Sequence, residues 1–242
     1  DDFRGVPGSF RWSIEGAAAA VALGLRLQIN TTLARRTLDD LPAIADLVGS
    51  LEAWRWTIFL LVPTGRADAE LQITARECEE AFGWLADLSR TARFRIKTTE
   101  GPHYRRVALQ RFAASGDDRG AAGDVVRPGS GGGRFVPGMN DGSGFLFINS
   151  RGSIQPSGFL PLVAGNVRTD SLVSVYREHP LFVALRDPDR LGGRCGRCEF
   201  RQVCGGSRAR AYALTGDHLA EDPACLYEPP GAPGRAEIVS HG

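Results

Sequence analysis

The 242-residue chain lacks any apolar run that is long enough to cross a bilayer. Its most apolar stretches, Ala17 to Leu25 and Trp56 to Val62, are far shorter than the roughly 20 residues of a membrane helix. No signal-peptide pattern is visible. Because four of the thiols are clustered and disulfide pairing is not indicated, we expect a cytoplasmic protein with no membrane partner.

The chain also lacks an excess of charge of one sign. Its formal net charge is +1, Lys97 is its only lysine, and the arginines are scattered, so we expect no nucleic-acid partner. The glycine-rich run GSGGGR has no Lys-Ser/Thr pair and is not a phosphate-binding loop. We find no Ser-His-Asp set and no carboxylate pair at a recognisable spacing, and we assign no catalytic residue.

Methionine is nearly absent. The chain begins DDFRGVPGSF, and its only methionine is Met139. This pattern predicts a fragment, or a sequence from which an upstream piece is missing.

Four of the five cysteines stand near the end of the chain, in the order Cys195-x2-Cys198-x5-Cys204-x20-Cys225. Thiolates at this spacing can converge on one metal centre. Gly205 and Gly206 follow the third cysteine, where glycine lets the backbone come close to a cluster and direct N–H groups at its sulfurs.

Three kinds of site compete for these cysteines. Disulfides are disfavoured, because Cys195 and Cys198 are too close for an easy bridge and the total is odd. Structural zinc sites do begin with C-x2-C, but they usually carry two such pairs. An iron–sulfur cluster fits the uneven spacing. The spacing favours iron–sulfur over zinc and leaves both open.

Residues 1–100 alternate between helical and strand patterns, which predicts an α/β domain with a parallel sheet. We predict helices that begin at Ser9, at Thr37 with Asp40, and at a Thr74–Glu77 capping box. The strands are predicted at Arg26 to Thr32, Trp54 to Val62 and Phe94 to Thr98. Cys78 lies on the apolar face of the third helix and is interpreted as a buried core thiol.

The pattern changes after a Gly- and Asp-rich stretch. The segment GFLFINSRGSIQPSGF predicts a β-hairpin that turns at Ser150 to Gly152. A helix is predicted after Asp170, broken at Pro180, and another from Arg208 to Leu214. His103 to Arg106 is interpreted as an exposed strand end with solvated charges.

The segment GRCGRCEFRxxCGGSRARAYAxTGDxLAEDPxCxY closely resembles the C-terminal auxiliary-cluster region, of SPASM or twitch type, of radical SAM enzymes. Within them it is most similar to the group that modifies haem-type tetrapyrroles. The resemblance implies that Cys195, Cys198, Cys204 and Cys225 bind one auxiliary 4Fe–4S cluster. It also makes Arg208 and Arg210 candidates for contact with anionic groups or with the charge of the cluster.

DDFRGVPGSF, LQINTT and FLLVPTGRA resemble the second half of a radical SAM (β/α) barrel. By this resemblance Gln28 and Asn30 would face the ribose or carboxylate of S-adenosyl-L-methionine, and backbone from Val62 to Gly65 would line its adenine. Strand-end capping and turn formation are the ordinary alternative. The expected domains are a partial barrel at 1–114, a linker loop at 115–142, and an α+β SPASM/twitch domain at 143–242.

The chain departs from the family pattern in one respect above all. No cysteine precedes Cys78, so the C-x3-C-x2-C motif of the SAM-cleaving cluster is absent and we expect this chain alone to be inactive. The resemblance implies a parent enzyme that modifies a tetrapyrrole or peptide with electrons from a ferredoxin or flavodoxin. A stand-alone iron–sulfur electron-transfer module and a zinc-stabilised structural domain remain open alternatives.

Overall fold

The computed structural model describes residues 1–2, 4–65, 68–115 and 140–230. Its first part contains a three-stranded sheet of β1 (Gln28–Leu33), β2 (Arg55–Leu60) and β3 (Arg95–Thr99). The strands are parallel and lie in chain order, with Gln28 opposite Arg55 and Arg55 opposite Arg95. The predicted α/β class and parallel sheet are confirmed.

Four helices accompany the sheet: α1 (Ser9–Ala22), α2 (Leu41–Ser50), α3 (Ala75–Leu88) and α4 (Tyr104–Ser115). The capping box of α3 is confirmed, because Thr74 Oγ1 accepts the Glu77 N–H and Glu77 Oε2 accepts the Thr74 N–H. The other two predicted caps are wrong. Gly8, with φ of +80°, precedes α1, and Asp40 makes no side-chain cap to α2.

Helix α4 replaces the predicted exposed strand end, and that interpretation is wrong. His103, Tyr104 and Arg106 are at most 2% exposed. The local sequence is polar, but Arg106 pairs with Glu79 of α3, and α3 packs along α4. The charges are therefore satisfied inside the protein rather than by water.

The main core lies between the sheet and these helices. Its largest fully buried side chains include Trp56, Ile58, Phe82 and Leu85, with Tyr104 from α4. Cys78 belongs to this core and is fully buried, as predicted. Burial of apolar area on this scale is the main source of folding free energy for the α/β part.

The second part begins with a small antiparallel sheet of β4 (Phe147–Ile148), β5 (Ser153–Gln155) and β6 (Gly165–Asn166). The predicted hairpin is confirmed, and β6 was not anticipated. Four helices follow: α5 (Leu172–Glu178), α6 (Pro180–Leu185), α7 (Gly193–Arg197) and α8 (Arg208–Thr215). Pro180 begins α6, consistent with the predicted break.

The two parts share a second apolar cluster and several polar contacts. Val62, which follows β2, packs with Leu160, Leu185 and Ala209 of the second part. Ser207 Oγ donates to Glu100 Oε2 at 2.5 Å, directly beyond β3. The start of α8 is thus attached to the carboxyl edge of the parallel sheet.

Among the described residues, none of the helices combines the length and the apolar character needed to cross a membrane. The GSGGGR run lies outside the described residues.

Candidate metal centre

The four clustered cysteines line one cavity at the surface of the second part. Cys195 lies in α7, and Cys198 is the residue at which that helix ends in extended backbone. Cys204 precedes α8, and Cys225 lies three residues beyond Asp222. Each of the four is half-buried. The chain therefore brings together residues that are up to thirty positions apart in sequence.

Two glycines make this close approach possible. A Cβ on Gly196 would lie 2.0 Å from the Leu191 carbonyl oxygen. Because that oxygen belongs to the backbone, the clash cannot be relieved by moving a side chain. Gly206 has φ of +65°, and a Cβ there would lie 3.1 Å from Cys195 Sγ and 2.8 Å from Asp222 Cβ. Gly196 thus excludes a larger residue by lack of space, and Gly206 by lack of space together with a left-handed backbone that favours glycine.

Four N–H donors from the protein point at cysteine sulfurs. The backbone N–H of Gly206 donates to Cys204 Sγ, and that of Asp222 to Cys195 Sγ, each at 3.4 Å. Two guanidinium groups also donate, Arg106 to Cys225 Sγ at 3.7 Å and Arg208 to Cys195 Sγ at 3.8 Å. The expectation that backbone after Cys204 directs an N–H at a sulfur is matched by Gly206.

Burial raises the thiol pKa of Cys198, Cys204 and Cys225. Thiols with raised pKa stay protonated at neutral pH unless a cationic centre stabilises the thiolate. Metal binding would therefore release protons here, as thiolate ligation generally does.

Arg208 supplies an independent test of whether an anionic group fits. It is 2% exposed, and it donates hydrogen bonds to the carbonyls of Gly206, His218 and Ala220 and to Cys195 Sγ. Within the described part of the chain, no ion pair joins it to a carboxylate. A buried cation needs nearby negative charge, and four thiolates around an iron–sulfur centre would provide it. The four cysteines, with Arg208 beside them, therefore fit a 4Fe–4S cluster, which is the group that the resemblance implies.

The four cysteines are not arranged around a single ion. In residues 1–2, 4–65, 68–115 and 140–230, no group of three or more His, Cys, Asp or Glu side chains is placed to hold one metal ion.

A buried polar network lies behind the cavity. Arg210 Nη1 donates to both oxygens of Asp222 at 3.2 and 3.1 Å, and Arg210 Nη2 donates to the Glu100 carbonyl at 2.5 Å. Burial by itself would raise the pKa of Asp222, but the Arg210 charge, His103 and the backbone N–H groups of Ser207 and Ala224 together outweigh burial and lower the pKa to about 2. Burial raises the pKa of Glu100 to about 8. Arg210 therefore forms an ion pair inside the protein and does not line the cysteine cavity.

Sequence reasoning did not identify Asp222, Glu100 or Arg106 as parts of this site. The sequence signal that could have identified Asp222 is an acidic residue three positions before Cys225. Arg106 and Glu100 carried no local signal, since their partners lie more than 100 residues away.

Cys78 lies apart from the cavity. Its Sγ is 3.1 Å from His103 Nε2, and both side chains are fully buried. Burial lowers the pKa of His103 to about 4, so its imidazole is neutral. The pair is a feature of the core.

The residues assigned to S-adenosyl-L-methionine are spread over two strands. Gln28 and Asn30 are exposed at the start and middle of β1, not at its carboxyl end as predicted, and Gln28 Nε2 donates to Asn30 Oδ1 at 2.8 Å. Gly65 is exposed after β2, with φ of +64°. The side chain of Val62 is buried in the second apolar cluster, which leaves only its backbone available to a ligand.

A second cavity, of about 170 Å³, lies at the carboxyl end of β3. Its lining includes Lys97, Glu100, Arg105 and Asp141. Asp141 is 3% exposed, and its Oδ1 has no hydrogen-bond partner among the described residues. Arg105 Nη1 donates to the Val203 carbonyl, next to Cys204. Arg105 therefore lines this cavity and also contacts the backbone beside a cysteine of the other cavity.

No family model matches the chain. Among curated proteins, it is 41% identical over 95% of its length to AdoMet-dependent heme synthase of Oleidesulfovibrio alaskensis and covers 58% of that protein. The corresponding protein of Methanosarcina barkeri is 35% identical and covered to 64%. PqqA peptide cyclase of Methylobacterium nodulans is 28% identical over 88% of the chain and covered to 52%. The chain therefore spans between one half and two thirds of the length of these relatives.

A solved structure shares the fold. Streptococcus suis SuiB, crystallised with S-adenosylmethionine, superposes with a TM-score of 0.58 at 15% sequence identity, over 89% of this chain and 48% of that one. A second crystal structure of SuiB contains the precursor peptide SuiA. Sequence similarity thus relates the chain to AdoMet-dependent heme synthases, and SuiB shares its fold.

Proposed function

We propose that this chain is the C-terminal part of a radical SAM enzyme and that its four clustered cysteines bind an auxiliary 4Fe–4S cluster. The observation that carries the proposal is the one cavity lined by Cys195, Cys198, Cys204 and Cys225, with protein N–H donors directed at the cysteine sulfurs. Four thiolates are the usual ligand set of such a cluster.

Zinc is the competing occupant, and two observations weigh against it. Within the described residues the side chains form no single-ion site, and the sulfurs receive N–H donors as well as one arginine without a carboxylate partner. Hydrogen bonds and positive charge around the sulfurs are the means by which proteins adjust cluster potential. A structural zinc site does not need them.

The protein residues hold and insulate the site. The four thiols bind, the glycines allow close approach, and Arg106 and Arg208 donate toward the sulfurs. When bound, the cluster supplies one-electron redox chemistry. An external electron donor, a ferredoxin or flavodoxin in our proposal, would exchange electrons with the half-buried cysteine cavity.

For the substrate we propose a haem-type tetrapyrrole. The heme synthases match at 35 to 41% identity, whereas the peptide cyclase matches at 28%. The cavity at the end of β3 places the cationic Lys97 and Arg105 where carboxylate substituents could be received. In parallel α/β domains, this carboxyl edge is where ligands bind.

The domain division is also part of the proposal. We infer a partial barrel at 1–114, a linker at 115–142 and an auxiliary-cluster domain at 143–242. The exposed Gln28 and Asn30, and the backbone at Val62 and Gly65, remain our proposed contacts for S-adenosyl-L-methionine in the whole enzyme.

Anaerobic reconstitution with iron and sulfide tests the cluster. We expect about four irons and four sulfides per chain and a reduced-state EPR signal. Cys198→Ala should lose the cluster. Cys78→Ala is the matched control, since it removes the fifth thiol from the core and should leave iron and sulfide content unchanged.

Two results would overturn the proposal. One is a colourless protein that keeps a single tightly bound zinc after reconstitution. The other is equal loss of iron from the Cys198 and Cys78 variants, which would mean that loading reflects general folding and not these ligands.

A further inference from the structure

Two buried arginines touch the proposed cluster ligands from opposite parts of the molecule. Arg208, at the start of α8, donates to Cys195 Sγ, and Arg106, in α4, donates to Cys225 Sγ. Each side chain is 2% exposed. In a site of low dielectric, the charge of such a group acts strongly on its neighbours.

The two arginines differ in how their charge is compensated. The other acceptors of Arg208 are three backbone carbonyls, at 2.7 to 3.3 Å, and no carboxylate pairs with it among the described residues. No direct ion pair among these residues therefore offsets its charge, although the buried Asp141 lies near enough to interact with it.

Arg106 is instead paired with a carboxylate. Its Nη1 and Nη2 donate to the two oxygens of Glu79 at 2.6 and 2.5 Å, and Nη1 also donates to Gln110. The guanidinium lies 5.0 Å above the ring of Tyr227. Glu79 thus cancels much of the Arg106 charge before it reaches Cys225.

We propose that Arg208 and Arg106 set the reduction potential of the auxiliary cluster, Arg208 through a charge that no direct ion pair offsets and Arg106 to an extent limited by Glu79. The inference rests on the proposed function. Reduction adds one electron to the cluster, and a buried cation stabilises the more negative state, which raises the potential. Both arginines act on the cluster through the charge that they place beside its ligands, and neither one is itself a ligand.

The test is a potentiometric titration of the reconstituted protein with dithionite and redox mediators, followed by EPR. Arg208→Gln should shift the midpoint to a more negative value, and Arg208→Lys should shift it less because the charge is kept. Arg197→Gln is the matched control. Arg197 precedes Cys198 but is exposed, so water and salt screen its charge and the midpoint should stay near that of the wild type.

A second pair of variants should shift the midpoint potential in opposite directions. Arg106→Gln should lower the midpoint, whereas Glu79→Gln should raise it, because it frees the Arg106 charge to act on Cys225. Glu79 is 32% exposed and touches no ligand in the described contacts, so this isosteric change leaves the site intact. This pair of variants tests the inference even if the Arg208→Gln variant fails to bind a cluster.

Midpoints that are unchanged in loaded Arg106→Gln and Glu79→Gln variants would overturn the inference. Midpoint shifts of the same sign in these two variants would also overturn it. So would a cluster-loaded Arg208→Gln variant whose midpoint equals that of the Arg197→Gln control. Failure of the wild type to assemble any cluster would instead remove the proposed function, so the two failures are separable.

Discussion

At the scale of single residues, Asp222 connects the cysteine cavity to the rest of the protein. Its carboxylate is 1% exposed and accepts the backbone N–H groups of Ser207 and Ala224 at 2.8 and 3.0 Å. It also pairs with Arg210, while its own N–H donates to Cys195 Sγ. One side chain therefore holds both the start of α8 and the loop that carries Cys225.

Glu100 should make stability depend on pH. Burial raises its pKa from 4.5 to about 8, with Asp141 adding to the shift and Ser207 and Arg210 opposing it, while Asp222 adds a smaller increase. The folded state then binds more protons than the unfolded state between these values, so stability falls as pH rises through that window. The steepest loss is about 1.4 kcal/mol per pH unit.

The measurement is urea unfolding of the wild type and Glu100→Gln between pH 6.5 and 8. Below pH 6.5 the lowered pKa of His103 contributes a slope of the opposite sign. Gln imitates the protonated carboxyl, so the variant should lose most of the decline. If the free energy of unfolding fell equally with pH in both proteins, the decline could not be assigned to Glu100.

At the scale of elements, α3 and α4 connect the core to the cysteine cavity. Helix α3 supplies Cys78 and Glu79 in successive positions, and α4 supplies Arg106 while His103 directly precedes it. Cys78 meets His103 inside the core, and Glu79 meets Arg106 near the cavity. The register between these two helices therefore determines where the Arg106 guanidinium lies.

Removing the α3 cap should weaken this arrangement. Thr74→Ala removes the oxygen that accepts the Glu77 N–H at 3.2 Å. We expect a loss of about 1 kcal/mol in the free energy of unfolding, measured by urea denaturation. Thr91→Ala, an exposed threonine just beyond the helix, is the control and should change stability by no more than about 0.5 kcal/mol. Equal effects would argue against a capping contribution.

At the scale of the whole molecule, the two parts are held together by buried polar contacts as well as by apolar packing. Arg210 and Ser207 both reach Glu100 beyond β3, and Val62 packs against Leu160 and Ala209. Ala224, next to Cys225, packs against the core of the α/β part. The cysteine cavity is therefore built on the sheet and is not a separate appendage.

Arg210→Gln should uncouple the two parts. It leaves the Asp222 carboxylate buried without its cation, which costs about 3–5 kcal/mol. All four tryptophans precede residue 85, so their fluorescence reports on the α/β part, whereas far-UV circular dichroism reports on both. We expect coincident unfolding curves for the wild type and separated curves for the variant.

The exposed Arg177→Gln substitution in α5 is the control for charge loss. Its two unfolding curves should coincide. Coincident curves for Arg210→Gln would mean that apolar packing alone holds the parts together.

The sequence by itself determined the features that depend on neighbours in the chain. The Thr74–Glu77 box, the hairpin at Ser150 to Gly152 and the glycines after Cys204 follow from contacts within a few residues, where backbone sterics and local hydrogen bonds decide. The parallel sheet followed from the alternation of helical and strand patterns, and the strand at Trp54 to Val62 from an apolar run suited to burial on both faces.

Only the tertiary structure decided which charges are buried and what they face. Arg106 meets Cys225 across 119 positions, and Ser207 meets Glu100 across 107. His103 to Arg106 has the composition of a solvated segment, yet most of it is buried, because Glu79 supplies the opposing charge for Arg106 and His103 is neutral. Local sequence cannot specify such pairs, since the cost of burying a charge depends on a partner that folding alone brings near.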